Sequence, residues 1–391
     1  MKNKVAVVII PTYNEADSIG KMVGHLFTKT FPQIKTWQMK LLVVDDTSPD
    51  GTYKIVQEKQ KKYQNLELYL NPEKKGIGFA YLVGFRHAME KMAADVLIEF
   101  DGDFQHPPET IPVMLAEIDR GADYVLGSRK IPGGSNPKGW GFKRVFFSEV
   151  GGFVARFVMF FPFKPFFQIT DPTTGLKASR VSGFVEKMDM DNLYSKKFAY
   201  KLEFLYKMVG LKAKIKEVPL KFGLRTVGES KIAPDTAKDI FKTAVLLRWR
   251  DPFTQKFFKF GVVGGFGFIV NVVGAKLFKQ VLITNTALTI SLVNSLANAM
   301  AAELAIISNF IWNNLWTFSE EKITKFSRLI SKFAAFNVSS VVTGIVVPSF
   351  IIGVLTGLFG DYLFFYQIIA IFGLTVPLNW IVYNRLIWKK K

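Results

Sequence analysis

Val96-Leu97-Ile98-Glu99-Phe100-Asp101-Gly102-Asp103-Phe104-Gln105-His106-Pro107-Pro108 is the stretch on which the fold turns. A short, mostly apolar run bounded by turn residues reads as a buried parallel strand. Two carboxylates and an amide follow at its carboxyl end, where open α/β sheets hold their ligands. Strand-like alternation would turn Asp101, Asp103 and Gln105 to one side. Hard oxygen groups of this kind suit Mg2+ or Mn2+ carrying a substrate diphosphate, and not zinc. An acidic loop capping the next helix would present the same residue types, so the neighbouring sequence has to decide.

Upstream and downstream of that stretch, residues 1 to about 230 alternate short apolar runs with amphipathic segments, the pattern of an α/β sheet. Strands are predicted at Val5–Ile10, Leu41–Val44, Leu66–Leu70, Val96–Phe100 and Tyr124–Gly127. The first runs into Pro11-Thr12-Tyr13-Asn14-Glu15 and the second into Asp45-Asp46-Thr47-Ser48-Pro49-Asp50-Gly51, so polar groups gather along one sheet edge. Lys75-Gly76-Ile77-Gly78 opens a helix whose amides would be available to a phosphate or base. It follows the third strand, which is not the place of a dinucleotide fingerprint. Gly84, in the same helix, is expected to serve close packing.

The chain has 391 residues, 49% of them hydrophobic, with 38 Phe, no Cys and a net charge of +19. The missing cysteines exclude disulfides, thiolate metal sites and thiol nucleophiles together. Val5–Ile10 is too short for a secretory signal, which predicts a cytoplasmic amino-terminal domain. Such basicity suits nucleic acid or a membrane surface. Its distribution favours the membrane. Residues 257–391 carry +7 and are too apolar for a nucleic-acid domain, while elsewhere Lys and Arg sit among Phe and Trp.

Uncharged runs in the last third predict four transmembrane helices, about 258–279, 285–307, 333–356 and 363–384. Basic segments fall between the second and third and at Lys389-Lys390-Lys391, so the positive-inside bias puts both termini in the cytoplasm. Glu303 lies near the inner end of the second span. It is either a functional intramembrane carboxylate or one paired with a neighbouring helix. Trp312 and Trp316 suit an aromatic belt. The segment from Trp140 to Phe167 is dense in Phe, with Lys and Arg between, but is broken by prolines and Glu149. It reads as interfacial rather than spanning, as does Asp239–Arg250. Core helices under the sheet are the competing reading of both.

PTYNE (11–15), VVDDTSPDGT (43–52), KGIGFAYLVGFRHA (75–88), DGDFQHPPE (101–109), GSR (127–129), DPTTG (171–175) and FGLRTVGESK (222–231) follow in this order. Together they resemble the family 2 inverting glycosyltransferases of GT-A fold, of the polyprenol-phosphate hexose synthase type, closest to the dolichyl-phosphate mannose synthases. The tetraspan segment around Asn309-Phe-Ile-Trp312-Asn313 resembles a GtrA-like domain. The resemblance implies an α/β GT-A (Rossmann-like) catalytic domain over 1–232, an interfacial linker over 233–256, and an all-α four-helix transmembrane domain over 257–391. Pro11, Tyr13, Glu15, Val44 and Asp46 would line the base and ribose pocket, continued by Asp101, Gly102 and Asp103. Asp101, Asp103 and Gln105 would hold Mg2+ or Mn2+. Arg129, Arg144, Ser148 and Arg225 would face the acceptor phosphate, and Asp101, Asp103, Arg129 and Arg225 form the implied catalytic set.

The implied reaction moves a hexose, mannose from GDP-mannose before glucose from UDP-glucose, onto a polyprenyl or dolichyl phosphate with inversion. A phosphate monoester is largely ionised at neutral pH, its second pKa lying near about 6, so no general base is required. The three histidines form no nucleophile–base constellation, in keeping with that. The partners implied are the bilayer and a second copy of the chain, not nucleic acid. The spans would serve as anchor or as translocase of the lipid-linked sugar.

Overall fold

Five apolar segments supply five of the sheet's six parallel strands. In the computed structural model, which describes residues 4–224, 235–360 and 362–389, the strands are β1 Val5–Thr12, β2 Gln38–Asp45, β3 Leu66–Leu70, β4 Val96–Glu99, β5 Tyr124–Ser128, β6 Lys177–Arg180 and β7 Ile215–Pro219. Their order is β3-β2-β1-β4-β6-β5-β7. All neighbouring pairs are parallel except β6, which is antiparallel to both β4 and β5. The exception matters for function. Parallel strands bring their carboxyl ends to one edge, and an antiparallel strand brings its amino end there. Residues 171–176, leading into β6, therefore join the loops that follow β1, β2, β4 and β5.

The helices are α1 Ala16–His25, α2 Thr52–Gln60, α3 Ile77–Glu90, α4 Thr110–Asp119, α5 Phe142–Phe160, α6 Lys164–Gln168, α7 Tyr200–Gly210 and α8 Thr236–Arg250. Alternate strand residues serve opposite layers. Val7, Ile9, Leu42 and Val44 pack with Tyr81 and Phe85 of α3 and Tyr200 and Phe204 of α7. Val8, Ile10, Leu41 and Val43 pack with Ile19, Met22 and Met114 on the other side. Gly84 is where α3 comes closest to the sheet: a Cβ there would lie 2.8 Å from Ile9 Cγ2 and 3.0 Å from Val44 Cγ2. The packing role expected of Gly84 is what the structure shows.

β6 and β7 are absent from the sequence expectation. In β6, Lys-Ala-Ser-Arg, a lysine occupies a fully buried position, so the hydrophobic pattern is missing. β7 is a half-exposed edge strand ending in proline. A second correction concerns the strand-like spacing of Asp101, Asp103 and Gln105. β4 ends at Glu99, and the chain then turns, with Phe104 at φ 62° and Gln105 N donating to Asp103 Oδ1 at 3.0 Å. The three residues lie in a turn, not on one pleated face.

The chain packs as two units, Met1–Trp249 and Arg250–Lys391. Within the first, α5 buries Gly152, Ala155, Met159 and Phe160, whereas Phe142, Phe146, Phe147, Phe153 and Phe157 are exposed. On α8, Ala244 and Leu247 join the same core while Phe241 and Trp249 stand outside. Both helices thus turn one side to the core and carry exposed aromatic rings on the other.

The second unit holds four helices long and apolar enough to cross a membrane: Pro252–Asn285, Ile290–Thr317, Phe326–Phe359 and Phe365–Ile387. Lys256 pairs with Glu321 at 3.0 Å, and Trp388 Nε1 donates to Asn314 Oδ1 at 3.0 Å. These contacts put the start of the first helix, the loop after the second and the carboxyl end of the fourth at one end of the bundle. Glu303 accepts both Asn337 Nδ2 bonds, at 2.6 and 2.8 Å, so it has the neighbouring-helix partner that was one of its two readings. Trp312 and Trp316 are exposed on the bundle surface, as a belt requires.

Candidate active site

Register sets the first wall. Thr12 lies opposite Asp45 at the ends of β1 and β2. Thr12 Oγ1 donates to Asp45 Oδ2 at 2.7 Å, and Asp45 also accepts Ser48 N and Ser48 Oγ, each at 2.7 Å. Asp45 is fully buried and therefore a hub that fixes the two loops. Its neighbour Asp46 accepts Asn71 Nδ2 at 2.7 Å, and burial pushes its carboxyl up from the ordinary range. Asn14 N and Glu15 N donate to Ser48 Oγ and Thr52 Oγ1. Lys74 Nζ sits 3.6 Å from the centre of the Tyr13 ring. Pro11, Tyr13, Glu15 and Asp46 are thus brought to one strand edge. Val44 is not: its side chain is buried in the core beneath α3, leaving only its backbone toward that edge.

At the helix N-terminus Gly76–Gly78, the protein's own chain lies against Gly78. A Cβ on Gly78 would fall on the Lys196 and Lys197 carbonyls, and Phe79 N already donates to Lys196 O at 3.0 Å. The glycine lets the protein's own chain approach and take up the Phe79 amide.

At the end of β4, Asp101 Oδ1 accepts the Tyr81 hydroxyl at 3.1 Å. Burial, reinforced by Asp101 and Glu99, raises the Tyr81 phenol well above its usual value, so it remains a donor. His106 is buried between Phe100 and Phe222, and burial lowers its pKa. Its Nδ1 accepts Asp101 N at 3.3 Å. A neutral ring whose Nδ1 accepts carries no proton there, so the 3.4 Å approach of Nδ1 to Asp101 Oδ2 is not an ion pair. Asp103 is buried, and Gln105 exchanges bonds with Gly223 through its Nε2 and its carbonyl. Asp101, Asp103 and Gln105 lie in one turn at the carboxyl end of β4.

Their donor set fits a hard divalent cation in a particular way. Among the described residues no three His, Cys, Asp or Glu side chains cluster as metal ligands. Two carboxylates plus an amide leave coordination positions for phosphate oxygens and water, the usual Mg2+ arrangement with a phosphorylated substrate.

At the end of β5, Arg129 forms a bidentate pair with Asp171, Nε to Oδ2 at 2.7 Å and Nη2 to Oδ1 at 2.8 Å. Their side chains are 9% and 1% exposed. Burial alone would raise the Asp171 carboxyl, but the Arg129 guanidinium outweighs it and holds the group below the ordinary range. Glu217 of β7 accepts Thr170 N, Asp171 N and the Thr170 hydroxyl, fixing the chain around Asp171. The third guanidinium nitrogen, Nη1, donates to Ser148 Oγ of α5 at 3.3 Å. Lys130 pairs with Glu149, and Asn136 with Glu149, so α5 is tied to the β5 loop at two successive residues. Arg144, one turn before Ser148, is exposed and stacks on Trp140 at 4.2 Å. Arg129 also lies over Phe222, which touches His106, making the basic corner continuous with the acidic one. Arg225 lies outside the described residues, and so does the rest of 225–231.

The sequence reading missed Tyr81, Asp171 and Glu217. Tyr81 looks like any aromatic on a buried helix face. Asp171 was visible as the first residue of DPTTG, but nothing local pairs it with Arg129, 42 positions earlier.

Two family models match the chain: Glycosyl transferase family 2 over residues 7–184, and the GtrA/DPMS transmembrane domain over 259–388. The dolichol-phosphate mannosyltransferase of Pyrococcus furiosus is 32% identical, over 87% of this chain and 88% of its own. The undecaprenyl-phosphate mannosyltransferase of Micrococcus luteus is 32% identical, over 62% of this chain and 95% of its own. A solved mannosyltransferase from Pyrobaculum calidifontis, in complex with GDP-Man and Mn2+, is 16% identical with a TM-score of 0.39, over 81% of this chain and 88% of its own. Seven motifs in order along the chain, an α/β sheet of this order and a four-helix apolar unit are thus explained together: the chain belongs to the glycosyltransferases of family 2, in the dolichol- and polyprenol-phosphate mannosyltransferase group that carries a GtrA/DPMS transmembrane domain.

Proposed function

We propose that this enzyme transfers mannose from GDP-mannose to a polyprenyl phosphate at the cytoplasmic membrane surface, in a metal-dependent step that inverts the anomeric centre. The carrying observation is the junction of the acidic corner, Asp101 and Asp103, with Arg129 and Ser148, the latter on a helix whose outer face is bare phenylalanine. The names of the relatives supply the sugar and the class of acceptor.

Pro11, Tyr13, Glu15 and Asp46 would hold the nucleoside, with Asp46 fixed by Asn71. Asp101 and Asp103, with Gln105, would hold Mg2+ or Mn2+, which as a Lewis acid stabilises the departing diphosphate. Arg129 has already committed two nitrogens to Asp171, so its Nη1 edge and the Ser148 hydroxyl are what it offers the acceptor phosphate. That phosphate needs no base to become a nucleophile, its second pKa lying near about 6. Its attack on C1 forms the new C–O bond as the bond to the diphosphate breaks, and single displacement inverts the centre. Phe142, Phe147 and Phe153 would enter the acyl boundary with Lys143 and Arg144 at lipid phosphates. The spans, with Glu303 held by Asn337, would anchor the enzyme.

The test is incubation of proteoliposomes with radiolabelled GDP-mannose or UDP-glucose, polyprenyl phosphate and either Mg2+ or Mn2+. Label from GDP-mannose in an organic-soluble β-linked product is expected. Labelling from UDP-glucose alone would overturn the donor assignment.

A further inference from the structure

Tyr81 lies on α3 and is none of the residues named for the nucleotide or the acceptor, yet its hydroxyl reaches the acidic corner at 3.1 Å from Asp101 Oδ1. Its ring is fully buried and stacks on Tyr200, centroids 5.8 Å apart at 28°. Tyr200 is itself fixed: its hydroxyl donates to Glu99 Oε2 at 2.5 Å. Glu99 is fully buried at the end of β4 and lies opposite Lys177 in the antiparallel ladder. Lys201 Nζ caps the arrangement, 5.2 Å from the Tyr81 ring and 5.9 Å from the Tyr200 ring.

A core helix does not require a polar chain of this kind. Apolar residues of similar volume fill such space without the cost of burying a carboxylate and two ammonium groups. What the chain does deliver is one donor at a fixed place beside Asp101, while His106 holds the Asp101 backbone amide from below. A carboxylate that has to bind a cation with a substrate diphosphate gains from a fixed rotamer, because ligand orientation governs affinity.

We propose that Tyr81 is a positioning residue for Asp101, held in place by the Tyr200–Glu99 bond, and that it sets the affinity of the acidic corner for its divalent cation. This rests on the metal role assigned to Asp101 and Asp103. Tyr81 touches no reacting atom.

The experiment measures Mn2+ binding to the full-length protein in detergent by electron paramagnetic resonance, with GDP present, for wild type, Tyr81→Phe and Asp103→Ala. The thermal midpoint is recorded for each. Tyr81→Phe keeps the ring and its stack, so a midpoint within a few degrees of wild type is expected, with Mn2+ affinity reduced about tenfold. The KM for Mn2+ should rise more than kcat falls. Asp103→Ala should abolish binding. Binding lost in Asp103→Ala but unchanged in Tyr81→Phe overturns the positioning role alone. Binding retained in both removes the metal corner as well. A lowered midpoint with unchanged Mn2+ affinity would make Tyr81 only structural, which also overturns the proposal. Should Tyr81→Phe fail to fold, Tyr200→Phe, which unties the stacked ring from Glu99, replaces it with the same expected direction.

Discussion

Arg129 commits Nε and Nη2 to Asp171, and only 1% of the Asp171 side chain meets solvent. Arg129→Ala would strand a buried carboxylate, which costs about 3–5 kcal/mol of stability and obscures any effect on the acceptor. Ser148→Ala is the cleaner probe. It removes one hydroxyl from the Nη1 side and should raise the KM for polyprenyl phosphate several-fold, about 1 kcal/mol, with the thermal midpoint unchanged. An unchanged KM would take Ser148 out of the acceptor site. The pair also carries a pH signature. Since the folded Asp171 carboxyl ionises more readily than the unfolded one, the unfolded chain takes up the proton first on acidification. The pair's stabilisation is therefore present above about pH 4 and is lost as pH falls through the lowered native value. Asp171→Asn should be less stable at neutral pH and lose less on acidification, read from midpoints against pH. Parallel curves would contradict the assignment. At this scale the sequence showed Asp101, Asp103 and Arg129 but not what holds them, because Tyr81 and Asp171 reach them across the fold.

Five strands were legible because apolar runs between turn residues have few other meanings, and their observed bounds differ by only a few residues. β6 was hidden by Lys177, whose burial lowers its pKa to about 8, and β7 by its place at the edge. The cost of missing β6 was the site's topology, since an antiparallel strand is what delivers Asp171 to the same edge as Arg129. Two elements invite tests. Gly84→Ala should cost about 1–3 kcal/mol, because the added methyl meets Ile9 and Val44. A neutral result by chemical denaturation would mean α3 can move off the sheet. On α5, Phe142→Asp with Phe147→Asp should raise the KM for a long-chain polyprenyl phosphate in proteoliposomes. The kcat with a short soluble phosphate acceptor should stay the same. Equal effects on both acceptors would argue that the aromatic face packs within the protein.

At the scale of the whole chain, four apolar helices and the grouping of Lys256, Glu321 and Trp388 at one bundle end imply even crossings. Because the chain has no native cysteine, single cysteines report sidedness directly. Ser319→Cys and Lys389→Cys should react with an impermeant maleimide from one face of sealed vesicles, and Ala287→Cys, in the turn between the first two spans, from the other. Labelling of all three from one face would break the four-span topology. Mannosyl transfer from GDP-mannose to polyprenyl phosphate in proteoliposomes is the deciding measurement, wild type against Asp103→Ala, with and without EDTA. Lipid-linked mannose is expected from the wild type only when Mn2+ or Mg2+ is supplied, and none from Asp103→Ala. Equal product from both proteins, or product that survives EDTA, would rule out a metal-dependent transfer at Asp103.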